Sequence, residues 1–502
     1  MAAPQSLMQS PVIEIPGLRA AGVRRALVRG GLEVSSPQGA DTGAETYTYY
    51  DSWNCSLARR RSKRLRYAQR LRRWQLLEGE RELGSWEARA GSHRPDGELA
   101  GRLAEITPLA VSVPFVVASR TRRTLLLRTP SGEQSALLEE WSFHSPFRPG
   151  ATATRTVLLA GGESSGIVEL LRGRLGAREA SGDHFELAVA ALELELPGSR
   201  AARRLRVAAG DSVAAAAGKI VELQTHRLRT GTPGAIGDYD PEFVHDMRVA
   251  ARTLRHALRL LRSVLPPVAT AVREELRWLA ARLGAVRDLD VFLERLERGL
   301  DSLSAEPQLV RLLGARAHED RRLAFQELSA ALRSDRYASL LGSLQALAAE
   351  LERTPARRRG GRRGIARELE AEMERIAERH GRSAASFTPE DLHELRIRFR
   401  RLRYSCELLW PLYGKEMRRL ASRFALIQAR LGEHRDAWAS IASLRGLAVS
   451  GPRPEGAGVA PELIEALAAH EESVMVASRS AFRRLWPAFP ELRRALERCL
   501  EE

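Results

Sequence analysis

Two hydrophobic periods divide the chain. Up to about residue 200, short apolar runs alternate with turn residues: 111–118 (VSVPFVVA), 124–127 (TLLL), 136–138, 185–189 and 192–196. Pro130-Ser131-Gly132 and Gly161-Gly162 lie between them. Such runs predict strands, and the strict alternation of Leu192, Glu193, Leu194, Glu195 and Leu196 is that of a half-buried strand. Residues 164–175 read as a helix, and Pro197-Gly198 marks a boundary. From residue 201 the period becomes 3.6. Amphipathic helices are predicted over 212–228, 242–265, 269–283, 289–303, 307–332 and 336–351, with breaks at 231–237 and at Pro266-Pro267. Residues 354–364 (TPARRRGGRRG) form a basic joint. A second helical half follows, with a loop at 450–460 (SGPRPEGAGVA). The pattern is that of an α+β multidomain chain: an N-terminal β-rich domain (1–200) and a C-terminal all-α domain (205–502), whose halves span 205–353 and 365–502.

One helical pattern occurs twice. VHDMRVAARTLRHALRLL (244–261) places His245, Arg248, Arg252 and Arg255 at 0, +3, +7 and +10. LHELRIRFRRLRYSCELL (392–409) places His393, Arg396, Arg400 and Arg403 at the same spacing, 148 residues later (393 − 245). On a helix these positions fall within roughly 80° of arc, so each set is one stripe. Arg259 and Arg262 extend the first. Met247, Ala251, Leu254, Leu258 and Leu261 occupy the neighbouring arc and should face the core, which sets the arginines at the border of a groove. Aligned cations repel, and the first stripe has no acidic residue at +4 to offset them, so a bound anion is the natural counter-charge. LGAVRD (283–288) and LGEHRD (431–436) keep the same offset. Their Arg287-Asp288 and Arg435-Asp436 read as structural pairs at a helix junction, while Arg282 and Arg430 just before them are further basic positions.

Composition sharpens this picture. The 502 residues carry a formal charge of +16, which favours an anionic partner. Apart from Lys63, Lys219 and Lys415, all 79 basic residues are arginine. Genomic base bias is the bland source of that skew, but guanidinium forks bind phosphate oxygens bidentately and do not deprotonate. Aromatics are only 6%, little material for base stacking, and no groove-reading motif is present, so nucleic acid is a minor candidate partner. The histidines lack metal-ligand spacing and an evident nucleophile, so neither a metal nor a catalytic role is assigned to them. Cys55, Cys406 and Cys499 are scattered, no signal peptide is evident and no apolar run spans a membrane. A reduced, cytoplasmic setting is expected.

The two stripes with their LGxxRD partners resemble the CHAD family (conserved histidine α-helical domain), over residues 212–502. The resemblance implies two four-helix bundles related by internal pseudo-two-fold symmetry, a basic channel between them, binding of inorganic polyphosphate and targeting to polyphosphate granules. Carried over by position, the binding residues are His245, Arg248, Arg252 and Arg255 with His393, Arg396, Arg400 and Arg403. The neighbouring cations Arg259, Arg262, Arg282, Lys415, Arg419 and Arg430 are added to the same surface. Thr253 stands where the family often has a second basic residue.

The first 200 residues resemble a CYTH domain, the triphosphate tunnel fold. The resemblance rests on Tyr49-Tyr50-Asp51 with Leu57 and the arginine cluster at 59–66, Trp86-Glu87-Ala88-Arg89, Arg120, Arg122 and Arg123, and Glu193 and Glu195 in 192–196. It departs at the family's initial ExExK. Val12-Ile13-Glu14-Ile15-Pro16 keeps one glutamate and places proline where the lysine belongs. The resemblance therefore implies a degenerate tunnel, and the expectation is a protein that holds polyphosphate without catalysis and without a cofactor. The alternative is a triphosphatase using magnesium or manganese, with Glu14, Glu193 and Glu195 as its metal cage.

Overall fold

The computed structural model describes residues 12–37, 41–88, 95–129, 132–160, 165–179, 183–197, 206–302, 307–354, 361–380, 387–450 and 461–501. Two compact units are present: Met1–Ser199 with Gly237–Asp240, and Arg200–Ile236 with Pro241–Glu502. Arg89, Pro130-Ser131, Gly161-Gly162, Gly198, most of the 354–364 joint and the loop beyond residue 450 lie outside the described residues.

The first unit contains an antiparallel sheet. Its strands are β1 (Val12–Glu14), β2 (Glu33–Ser35), β3 (Asp41–Asp51), β4 (Lys63–Ala68), β5 (Arg73–Glu78), β6 (Arg81–Glu87), β7 (Val113–Thr129), β8 (Gly132–His144), β9 (Thr152–Ala160) and β10 (Arg178–Glu179). The order is β10-β1-β9-β8-β7-β3-β4-β5-β6, with β2 on β7. Helices α1 (Ala20–Arg29), α2 (Ser56–Arg61), α3 (Gly97–Ile106) and α4 (Ser165–Leu175) lie between the strands in sequence, and α5 (His184–Ala191) follows β10. One core joins Ile13, Val23, Leu27, Leu125, Leu138 and Leu158; another joins Leu57, Leu65, Trp74, Leu76 and Leu99.

Two expectations for this unit need correction. The runs at 111–118 and 124–127 are one 17-residue strand, β7. The charged stretch between them continues the strand because neighbouring strands answer it: Arg122 Nε donates to Glu139 at 2.7 Å, and Arg120 bonds Glu45. Residues 185–196 are not two strands. Asp183 accepts the Glu186 N–H at 2.7 Å and caps α5. Leu192, Glu193 and Leu194 then donate back to the carbonyls of Ala188, Ala190 and Val189, with Glu193 at φ 48°. Leu192 and Leu194 are buried and Glu193 and Glu195 exposed, so the alternation is real but serves a helix-ending turn.

The second unit is helical: α6 (Val213–Ile236), α7 (Pro241–Leu260), α8 (Ala269–Ser302), α9 (Pro307–Leu332), α10 (Asp335–Arg353), α11 (Gly361–His380), α12 (Pro389–Tyr413), α13 (Lys415–Ser450), α14 (Pro461–Leu485) and α15 (Phe489–Glu501). The helix runs through most of the expected break at 231–237, to Ile236, because Gly231 and Gly234 pack closely against α7, and the chain turns only at 237–240. A Cβ on Gly234 would lie 2.5 Å from Phe243 ring carbons, and one on Gly231 would lie 2.9 Å from Met247 Cγ. Gly234→Ala is therefore expected to destabilise by about 1–3 kcal/mol in urea unfolding. Gly342→Ala, with open space around its Cβ, should be neutral or stabilising; equal effects at the two sites would contradict the packing argument. Residues 269–302 form one 34-residue helix, not two. Its buried row Leu276, Leu279, Leu283 and Val286 runs through Gly284 at unbroken helical spacing. LGAVRD is thus mid-helix, and so is LGEHRD within α13.

Among the described residues the two halves of this unit meet in several places. Helix α7 packs on α12. Elsewhere Phe292, Leu296, Leu444, Ile464 and Leu467 share a core, beside which the buried Glu471 accepts Arg295 Nε at 3.0 Å. No helix among the described residues is long and apolar enough to cross a membrane.

Candidate functional site

The site grows out of how α7 and α12 divide their faces. On α7, Met247, Ala251, Leu254, Leu258 and, just past its end, Leu261 are all buried, as the pattern predicts. His245, Arg248, Arg252, Arg255 and Arg259 are half-buried at the border of that face. Helix α12 starts sharply: Thr388 and Asp391 form a reciprocal capping box, with Pro389 in the first turn. That start places His393 one turn in. Leu395, Phe399, Leu402 and Cys406 then bury one face. Where the helices touch, His256 Nε2 lies 2.9 Å from Ser405 Oγ, and the His256 and Tyr404 rings are 6.0 Å apart. Positions 256 and 404 are equivalent in the repeat (404 − 256), so matched points of the two copies meet.

A cavity of about 260 Å³ opens where these helices meet. Arg252, Arg255 and Arg259 line it from α7, and Arg400, Arg401 and Tyr404 from α12. Arg273 and Arg277 of α8 complete it on the first copy's side. Several cations near the cavity are neutralised. Arg259 donates to Glu368 at 3.0 Å, Arg401 to the buried Glu372 at 3.3 Å, and Arg277 pairs with Glu274 at 2.7 Å. Arg252, Arg255, Arg273, Arg396 and Arg400 make no ion pair among the described residues. Arg252 instead sits 5.1 Å from the Tyr404 ring centroid, with its Nε buried and unbonded; Tyr404 Oη is also unbonded.

Burial and like charge make this cluster electrostatically unfavourable. Burial, then Arg396, Arg252 and Arg401, pull the Arg400 pKa down to about 10. Burial likewise lowers Arg252, helped by Arg248, Arg403 and Arg396 across the seam. Arg396 is lowered by burial, with Asp436 opposing and Arg435 and Arg248 adding to it. Arginines of both copies thus sense one another in one field. His256, 8% exposed, is held neutral: burial first, then Arg259, Arg401 and Arg400, pull its pKa down to about 3.

The remaining predicted residues spread outward. Arg248 bonds Asp288 at 2.7 Å, and Arg403 bonds Glu407 at 2.8 Å. Arg262 shares Glu368 with Arg259. Burial lowers the His245 pKa, with Glu242 opposing and Arg287 adding. In the second copy burial, then Arg435, lowers His393. The LGxxRD arginines therefore stand beside the leading histidines in both copies. Arg282 is paired to Glu327, Arg419 to Glu416 and Arg430 to Glu433, and Lys415 is exposed; none of these four lines the cavity. Sequence reasoning missed His256, Arg273, Arg277, Arg401 and Tyr404. Arg273 and Arg277 carried a weak signal, an i,i+4 arginine pair on the next helix. Thr253 is buried, and Arg401 at its equivalent brings its own carboxylate, so the missing charge costs the first copy little.

The first unit treats its charges differently. Glu14 holds Arg155 at 3.3 Å and Arg178 at 3.1 Å, while Glu193 is paired with Arg148 at 2.8 Å. Glu193 and Glu195 lie in the exposed turn after α5. Among the described residues no three His, Cys, Asp or Glu side chains are grouped to hold a metal. Asp51 of the Tyr-Tyr-Asp motif caps α2 through the Leu57 and Ala58 N–H groups, each at 3.0 Å.

The fold and the site define an all-helical domain built on an internal repeat, with an arginine-lined seam between its copies. The family model of the CHAD domain matches residues 219–445, and this stretch is a CHAD domain. Two uncharacterized proteins from two strains of Mycobacterium tuberculosis are each 33% identical to this chain over 208 residues. The match spans 38% of this chain and 38% of each relative. Among solved structures, the CHAD domain from the plant Ricinus communis is 25% identical, with a TM-score of 0.46, covering 56% of this chain and 94% of that one. PptA from Streptomyces chartreusis is 21% identical, with a TM-score of 0.45, covering 55% and 99%.

Proposed function

We propose that the helical unit binds inorganic polyphosphate without catalysis, a chain of phosphates lying along the seam between α7 and α12. The observation that carries this reading is the set of half-buried arginines contributed by both copies that make no ion pair among the described residues. Each lacks a counter-charge that a phosphoryl oxygen supplies bidentately. Under this reading the two halves act as pseudo-symmetric four-helix bundles around a basic channel, and the bound chain places the protein at polyphosphate granules. The N-terminal unit is then a CYTH-like tunnel whose metal site has decayed, since guanidinium groups already occupy its remaining glutamate.

Phosphate chains condense counterions as nucleic acids do, and each neutralised phosphate releases them. With four phosphates neutralised by arginine, the affinity for long polyphosphate should fall about a hundredfold between 50 and 200 mM salt. Tripolyphosphate, too short to reach both copies, should bind far more weakly. Titration calorimetry at two salt concentrations checks both. Salt-independent affinity, or equal affinity for long and short chains, would sink the reading. The rival reading, a metal-dependent triphosphatase, requires phosphate release with magnesium or manganese that Glu195→Gln abolishes.

A further inference from the structure

A second cavity, of about 330 Å³, opens where the first turns of α12 face the middle of α13. Three kinds of chemistry meet in it. Trp438, 50% exposed, together with Leu392 and Leu431, gives an apolar wall. Arg435 lies 4.5 Å from the Trp438 ring centroid, with Nη1 buried and unbonded and no ion pair among the described residues. His393, His434 and Glu390 also line it, supplying neutral donors and one carboxylate.

A single exposed tryptophan is ordinary. The repeat makes this one informative. Trp438 and His434 correspond to Asp290 and Val286 in the first copy (438 − 148, 434 − 148). There Val286 is fully buried, and Asp290 accepts Arg321 Nε at 2.6 Å. The first copy thus commits the equivalent positions to the core and to an ion pair, whereas the second leaves an aromatic face exposed beside a guanidinium with a buried, unbonded nitrogen. The cavity also adjoins the arginine row, because Arg435 contributes to the field on both His393 and Arg396.

We infer that this cavity is a pocket for a nucleoside polyphosphate, its base against Trp438, an amino or hydroxyl group toward Glu390, and its phosphates on Arg435 leading to Arg396. A bare phosphate chain has nothing to lay on the apolar wall, and an uncharged aromatic has nothing for Arg435. The phosphate half of this assignment rests on the reading of the neighbouring arginines as phosphate ligands; the base half does not.

Calorimetry on the full chain with ATP, inorganic tripolyphosphate and adenosine, without added metal, tests it. ATP should bind about tenfold more tightly than tripolyphosphate, the usual scale of one stacked base. Trp438→Leu should abolish that ratio and leave tripolyphosphate and long polyphosphate unchanged, and Arg435→Gln should weaken both triphosphates. Equal binding of ATP and tripolyphosphate by the unaltered chain overturns the inference. So does a ratio that survives Trp438→Leu, including the case in which that variant changes the oligomeric state by light scattering, since the tryptophan then serves a second copy. Loss of long-polyphosphate binding with the ATP preference intact would defeat the neighbouring reading and leave this one standing.

Discussion

Arg252→Met combined with Arg400→Met is expected to lower the affinity for long polyphosphate by about 10²- to 10⁴-fold, because it removes two charge-assisted hydrogen-bonding groups worth roughly 1.5–3 kcal/mol each. The same variant should unfold in urea no earlier than the parent when no anion is present. Both guanidinium groups are largely desolvated, neither makes an ion pair among the described residues, and each raises the other's cost. Methionine keeps the apolar stem that packs beside Tyr404 while removing the charge. A ligand that supplies the missing counter-charge should then raise the parent's melting temperature far more than the variant's. Binding loss that merely tracks a loss of stability would make these arginines structural and remove the main support for an anion site. The contrast within one cavity is Arg401. Its partner Glu372 is 2% exposed and also takes Arg398 at 3.3 Å, so its positive charge is already answered by the fold.

This division between answered and unanswered cations is what the sequence could not supply. The spacing of His245, Arg248, Arg252 and Arg255, repeated 148 residues on, gave the stripes and their place beside the core face. It could not say which arginines carry a carboxylate, because the carboxylates come from distant positions: Asp288 on α8 for Arg248, Glu368 and Glu372 on α11 for Arg259 and Arg401. Only the arginines without an ion pair among the described residues stand out as a site, and they include Arg273 from a helix outside the motif. The helical period is legible because it persists over many turns; the glycines at 231 and 234 do not break it because they pack against α7. In the first unit the alternation in 192–196 is that of a strand. Local backbone hydrogen bonds that close α5 decide otherwise, and side-chain pattern does not report them.

Acidification supplies the second large effect, through His256. Its pKa is about 3 in the fold against 6.5 for an unperturbed imidazole, so the folded state disfavours the proton. The unfolded chain binds that proton first, and stability is lost as the pH falls from about 6.5 toward 3, at about 1.4 kcal/mol per unit. At pH 4 the loss should reach about 3 kcal/mol relative to neutral pH. Protonation would place one more charge among Arg259, Arg400 and Arg401, and it would require the Nε2 beside Ser405 Oγ to act as a donor. His256→Gln, which can still bond Ser405 but carries no titratable ring, should flatten the acid limb of the urea-unfolding profile between pH 6.5 and 4. Parallel profiles for the two proteins would show that carboxylates, not this imidazole, govern acid lability. Bound polyphosphate should shift the parent's acid limb to lower pH, because an anion beside the buried imidazole favours its protonated form. That shift should be absent in His256→Gln and small in the Arg252→Met/Arg400→Met variant, which ties the buried histidine and the unpaired arginines to one electrostatic site.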